Sequence, residues 1–181
     1  MVDESTAQGV QAVANYDSVS SPEGGENIVK TAVDAFGKVD VVINNAGILR
    51  DKSFTKLEWD DLDAVLDVHL KGAFYVSQPA FKIMKENNYG RFVFTASNAT
   101  FGNFGQTNYA AAKMGLVGLS NTIAVEGARN GILSTVIMPV ARTRMPEERP
   151  GDVAKLPDPA RVPPRYALLS PRPCPTPSAP P

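Results

Sequence analysis

The chain has 181 residues, 43% hydrophobic and 20% charged, with 18 basic against 19 acidic side chains and a net charge of −1. That size and apolar content suit one globular domain, and the balanced charge gives no electrostatic footprint for nucleic acid or an acidic membrane. No apolar run reaches the roughly 18 residues of a membrane span and no signal peptide is read at the start. The single Cys174 and single His69 exclude a disulfide framework and a Cys- or His-rich metal site, so a cytoplasmic protein without bound metal is expected.

In chain order, the first expected element is a strand over Gln11–Tyr16, short and apolar as a strand buried on both faces should be. A helix follows over Glu26–Phe36, where Ile28, Ala32, Ala35 and Phe36 form an i, i+4, i+7, i+8 stripe and Gly37 is a natural stop. Val39–Asn44 reads as the second strand. Glu58–Glu86 reads as two helical segments with Trp59, Leu62 and Leu66, then Phe74, Phe81 and Met84, on the buried side, and Pro79 as a candidate kink. Arg91–Ala96 is the third strand. Tyr109–Arg129 is a long helix with Leu116, Leu119 and Ile123 at helical spacing, and Ile132–Met138 is the fourth strand. Strands alternating with helices of this length mean βαβ units and a parallel sheet.

Proline then changes the polymer. Of 15 prolines, 12 fall in the last 36 residues, whereas 13 of 14 glycines precede Met145. Rings at this density remove backbone donors and fix φ, so residues 146–181 are expected to be a disordered or polyproline-like tail on a domain spanning residues 1–145.

Each expected strand ends in polar or Gly-rich residues: Asp17, Asn44-Asn45-Ala46-Gly47, Ser97-Asn98 and Pro139. In open α/β sheets the ligand sits at the carboxyl ends of the strands, so these ends mark an expected site. Tyr109 and Lys113 stand at i and i+4 on one helix face, within mutual reach. A phenol, with its unperturbed pKa of about 10, is a poor acid–base catalyst at neutral pH; a nearby cation favours the phenolate. Ser97 is placed to offer a hydroxyl to a substrate oxygen. Hydride transfer needs these parts from a protein: a proton donor at the oxygen, a polarising hydrogen bond and a nicotinamide held against the carbon.

Asn44-Asn45-Ala46-Gly47, Ser97, Tyr109-Ala-Ala-Ala-Lys113 and Pro139, so placed, resemble the short-chain dehydrogenase/reductase family over Val2 to Met145. Ala12-Val-Ala-Asn-Tyr-Asp-Ser-Val19, Asn45-Ala-Gly-Ile-Leu-Arg-Asp51 and Gly102-Asn-Phe-Gly-Gln106 resemble its (3R)-hydroxyacyl-CoA dehydrogenase branch. The resemblance implies a Rossmann-like, doubly wound α/β fold and an NAD- or NADP-dependent oxidoreductase that interconverts a secondary alcohol and a ketone, with a 3-hydroxyacyl-CoA as substrate. It implies Tyr109 as general acid/base, Lys113 on the nicotinamide ribose and Ser97 on the substrate oxygen. Asp17 would meet the adenine, and Asn45, Ala46 and Gly47, with Pro139, would line the cofactor. It also implies self-association into a homo-oligomer through the helices around Val68–Glu86 and Asn108–Arg129.

The chain departs from the family in several places. His69 stands where many members carry Asn, as the resembling branch also has it; a structural histidine is the competing reading. Ser97 lies 12 residues before Tyr109, one fewer than the family usually shows. No Gly-x-x-x-Gly-x-Gly phosphate turn occurs, since Gly115-Leu-Val-Gly118 is mid-helix and lacks the third glycine. Aligned by the resemblance, Met1 falls inside the second helix and the likeness ends near Val162, so the first two strands and the last are expected to be missing. Two other readings therefore stay open: a catalytically inactive fragment serving as an interaction surface, and a reductase of 3-oxoacyl-acyl-carrier-protein. Peroxisomal residence is the family's alternative to the cytoplasm, although the chain ends in Ala179-Pro-Pro rather than a peroxisomal tripeptide.

Overall fold

The computed structural model describes residues 2–139; the expected proline-rich tail over 146–181 lies outside them. Three parallel strands form one sheet in the order β1 (Val41–Asn44), β2 (Gly90–Thr95) and β3 (Ile132–Ile137). Val41 pairs with Arg91 and Asn44 with Phe94, while Gly90 pairs with Ile132 and Thr95 with Ile137, so the carboxyl ends of all three strands open on one side. Five α-helices accompany them among the described residues: α1 (Val2–Ala7), α2 (Pro22–Phe36), α3 (Trp59–Leu66), α4 (Gly72–Asn87) and α5 (Thr107–Gly127). This is part of a Rossmann-like α/β domain.

Local chemistry sets the elements. Ser21 caps α2 by accepting from the Gly24 N–H at 3.1 Å, Pro22 begins the helix, and Gly37 ends it by donating to the Val33 carbonyl at 2.7 Å. A Cβ on Gly25 would lie 2.5 Å from the Tyr75 carbonyl, so glycine there is what lets α2 settle against α4. α4 packs on β1 and β2, and α5 on β2 and β3. β2, the central strand, is almost wholly buried, as a parallel strand covered on both faces should be. Phe92 and Phe94, two residues apart and hence on one face, bring their ring centroids to 6.2 Å, and Phe81 meets Phe92 at 6.3 Å. Met84, Ala80, Leu116 and Ile132 complete this core with side chains almost wholly removed from solvent. Its four largest members each contribute about 1.5–3 kcal/mol of burial.

Three expectations are corrected. Gln11–Tyr16 is not a strand: residues 10–18 carry no regular structure, and Tyr16 is 95% exposed. A strand exists through its ladder. β1 pairs only with β2 among the described residues, and nothing there offers Gln11–Tyr16 a backbone partner. The segment is instead tied to α2 by a side chain, Asn15 Nδ2 donating to Thr31 Oγ1 at 2.9 Å. Trp59 and Phe74 are not core residues. Trp59 opens α3 at 76% exposure while Val65 is the helix's buried residue. On α4 the buried stripe runs through Gly72, Ala73, Val76, Ser77, Ala80 and Met84, and Phe74 lies off it at 49% exposure.

Candidate active site

Between α3 and α4 the helix carries one π turn, Asp67–Lys71. Such a turn inserts a residue and rotates the following helix, a device common at functional sites. Here its buried member is His69, 3% exposed. The imidazole Nε2 lies 2.7 Å from the Ile48 carbonyl and 3.0 Å from the Ile48 N–H. Nε2 accepts from that N–H in one tautomer and donates to that carbonyl in the other, so either way the ring is tied to Ile48. Nδ1 is buried with no hydrogen-bond partner among the described residues. Burial, reinforced by the positive charge of Lys113, lowers the His69 pKa from 6.5 to about 4, so the ring is neutral at physiological pH.

The same ring fixes two neighbours. Its Cε1 lies 2.4 Å from where a Cβ on Gly47 would stand, so the loop after β1 can pass His69 only with glycine at that position. On another side it meets Tyr109 edge-on, with centroids 5.1 Å apart and planes at 87°. Tyr109 stands in the first turn of α5, partly buried, and Lys113 lies one turn further on. The Lys113 ammonium is 5.5 Å from the Tyr109 ring centroid, is 3% exposed, and donates to the Thr95 carbonyl at the end of β2. Burial lowers its pKa from 10.5 to about 8, which leaves it mainly charged at neutral pH. Thr95 in turn donates from Oγ1 to Asn45 Oδ1 at 3.1 Å, and Asn44 Nδ2 donates to Ser77 on α4 at 3.0 Å. A cavity of about 120 Å³ is lined by Asn44, Asn45, Ala46, His69 and Lys113 with apolar neighbours.

The structure thus brings Tyr109, Lys113, Asn45, Ala46 and Gly47 to one end of the sheet. Pro139 follows β3 at that same end, partly buried. Ser97, just past β2, has its hydroxyl engaged locally: it accepts from the Ala99 N–H at 3.2 Å and points toward Asn98 Oδ1 at 3.3 Å, capping a short turn over Asn98–Phe101. Asp17 sits in an exposed loop, held by Asn15, whose Nδ2 donates to its carboxylate and whose Oδ1 accepts from its N–H, both at 2.8 Å. That is a loop closure, with no described contact to the cavity. His69 belongs to the site more closely than its sequence position alone conveys. Asn108 and Gln106, nearly buried beside Tyr109, are two further residues of it; their signal was polar amides at a helix start. Among the described residues no His, Cys, Asp and Glu cluster is able to hold a metal, and no helix is long and apolar enough to cross a membrane.

A parallel sheet thus carries a Tyr–Lys pair on the helix after its central strand and an Asn-Ala-Gly loop at its edge. The chain belongs to the short chain dehydrogenase family, whose family model matches residues 1–152. It is 54% identical over 148 residues to peroxisomal multifunctional enzyme type 2 of Drosophila melanogaster, covering 81% of this chain and 24% of that protein. The structure of the full-length form of that enzyme superposes with a TM-score of 0.79 at 42% identity, covering 97% of this chain and 30% of the other. A short-chain type dehydrogenase/reductase of Mycobacterium tuberculosis is 48% identical over 180 residues, 96% of this chain and 63% of the relative. A (2S)-[(R)-hydroxy(phenyl)methyl]succinyl-CoA dehydrogenase subunit of Thauera aromatica is 37% identical over 150 residues, 82% of this chain and 60% of that one. The chain therefore spans less than two thirds of the length of these relatives.

Proposed function

We propose that the chain acts as an NAD(P)-dependent oxidoreductase interconverting a secondary alcohol and a ketone, with a 3-hydroxyacyl-CoA as substrate. One observation carries the reading: a buried ammonium, Lys113, lies 5.5 Å from the ring of a partly buried tyrosine at the carboxyl end of a parallel sheet. The residues suit the ribose and nicotinamide end of a dinucleotide. Lys113 commits one N–H to Thr95 and keeps donors for ribose hydroxyls, and Asn45 and the orphaned His69 Nδ1 supply polar groups around the cavity. When bound, the nicotinamide supplies the hydride acceptor or donor.

The protein's part is proton transfer and orientation. In the oxidation direction the Tyr109 phenolate takes the hydroxyl proton; in reduction the phenol returns it to the carbonyl oxygen. The Lys113 charge favours the phenolate in a setting of low local dielectric, where a cation acts more strongly than in water. Ser97 would donate to the same substrate oxygen once its local hydrogen bonds yield. Asn45, Ala46 and Gly47 would hold the ribose path, and Pro139 would close the far side beyond β3. Asp17 would reach the adenine. Support for a thioester comes from the relative named as a substituted succinyl-CoA dehydrogenase. The test is turnover of 3-hydroxybutyryl-CoA followed by nicotinamide absorbance. Tyr109→Phe removes one oxygen and abolishes turnover with the fold intact; activity that survives it refutes the acid/base assignment.

A further inference from the structure

Tyr109 is held by more than its own helix. Asn108, 1% exposed, directs its side-chain amide at three backbone groups from three elements. Nδ2 donates to the Arg50 carbonyl at 3.0 Å and lies 3.4 Å from the Asp61 carbonyl on α3, while Oδ1 accepts from the Tyr109 N–H at 2.8 Å. Two carbonyl oxygens on one side of the amide fix which end is nitrogen. Arg50 is three residues beyond Gly47, so the amide joins the start of α5 to the loop bearing Asn45, Ala46 and Gly47. Neighbouring contacts strengthen that junction. Lys52 N–H donates to the Gly105 carbonyl at 2.9 Å, and Gln106 Nε2 meets both carboxylate oxygens of Asp51 at 3.1 and 3.2 Å. From the α3 side, Asp61 pairs with Lys52 at 3.0 Å. His69 supplies the second tie, gripping Ile48 on the same loop while its ring edge rests on Tyr109.

We propose that Asn108 is a positioning residue for Tyr109, locking the first turn of α5 and the Asn45–Gly47 loop into one rigid unit. The proposal rests on the acid/base reading of Tyr109. A phenol oxygen stands several ångströms from its Cα, so a small tilt of the first turn moves it by about 1 Å, and misplacement on that scale costs about 100-fold in rate. The Asn108 amide is almost wholly removed from solvent, so its loss leaves three backbone hydrogen bonds unmade at the junction. Proton transfer feels the shift directly; cofactor affinity, spread over many contacts, feels it less.

The experiment compares the full chain with Asn108→Leu and with Asp51→Ala, whose exposed side chain can be removed without opening the core. Thermal unfolding, peptide-resolved amide hydrogen exchange, and kcat and KM for NAD+ with 3-hydroxybutyryl-CoA are measured on each. Asn108→Leu is expected to raise exchange together in residues 48–52 and 107–113, leave β2 unchanged, and lower kcat by about 10- to 100-fold with KM for NAD+ within about 2-fold. Asp51→Ala moves the same quantities in the same direction by less. Unchanged local exchange and unchanged kcat in both variants overturn the positioning role, as does exchange that rises through β2 as well. Turnover that survives Tyr109→Phe overturns the underlying acid/base reading instead, whatever Asn108 does.

Discussion

His69 makes the fold sensitive to acid in a calculable way. Its pKa is 6.5 when free and about 4 in the folded chain, burial being the larger cause and Lys113 the smaller. Between these values the unfolded chain binds a proton that the native chain refuses. Stability therefore falls as pH drops below about 6.5, and the loss is complete below about pH 4. At about 1.4 kcal/mol per tenfold change in proton affinity, the gap is worth about 3 kcal/mol. Lys113, with a pKa of about 8, stays charged across this window and adds no titration of its own. His69→Asn removes the titrating group and keeps a polar side chain at the position. Urea unfolding of both proteins at several pH values from about 7 to about 4 isolates the term, because the carboxylates common to both cancel in the difference. The wild-type curve should lose about 3 kcal/mol more than the variant over that range. Parallel curves, within about 0.5 kcal/mol, would mean that the imidazole charges freely in the folded state and that its burial does not govern it.

The remaining predictions concern the neighbours of that ring. Gly47→Ala places a Cβ 2.4 Å from His69 Cε1 and should cost about 1–3 kcal/mol in a denaturant titration. Adding His69→Ala should recover about 1 kcal/mol or more of that loss, and simple additivity in the double-mutant cycle would show that the two do not collide. Lys113→Met should cut turnover by about 10²- to 10⁴-fold yet leave stability at neutral pH unchanged or higher, since it removes a buried charge. In wild type, the unfolded chain holds a proton that native Lys113 releases between pH about 8 and 10.5, so stability rises with pH there; the rise should vanish in Lys113→Met.

How much of this was legible in the sequence follows from which forces are local. The helix ending at Phe36, the strands now called β1 to β3 and α5 were readable because period, caps and β-branched runs act within a few residues. Gln11–Tyr16 has the same apolar composition, yet strand formation is a property of two segments, and composition does not say whether a ladder partner is present. Trp59 and Phe74 are large and apolar, which suggests a core, yet the buried residues of their helices are Val65 on α3 and Gly72, Ala73, Val76, Ser77, Ala80 and Met84 on α4. The π turn over Asp67–Lys71 leaves no clear trace in a 3.6-residue pattern, so His69 was visible as a residue and not as a contact. Tyr109 and Lys113 were legible through their i, i+4 spacing. Asn108 shows in the sequence only as a polar amide at a helix start, because its three partners come from 1, 47 and 58 residues away.

The proposed oxidoreductase activity requires a bound dinucleotide, and titrating the full chain with NADH and with NADPH in a calorimeter measures that binding. Binding of at least one in the micromolar range, weakened by Lys113→Met, is the predicted result. No heat of binding for either at millimolar concentration would contradict the account and leave the Tyr109–Lys113 pair without a cofactor to serve.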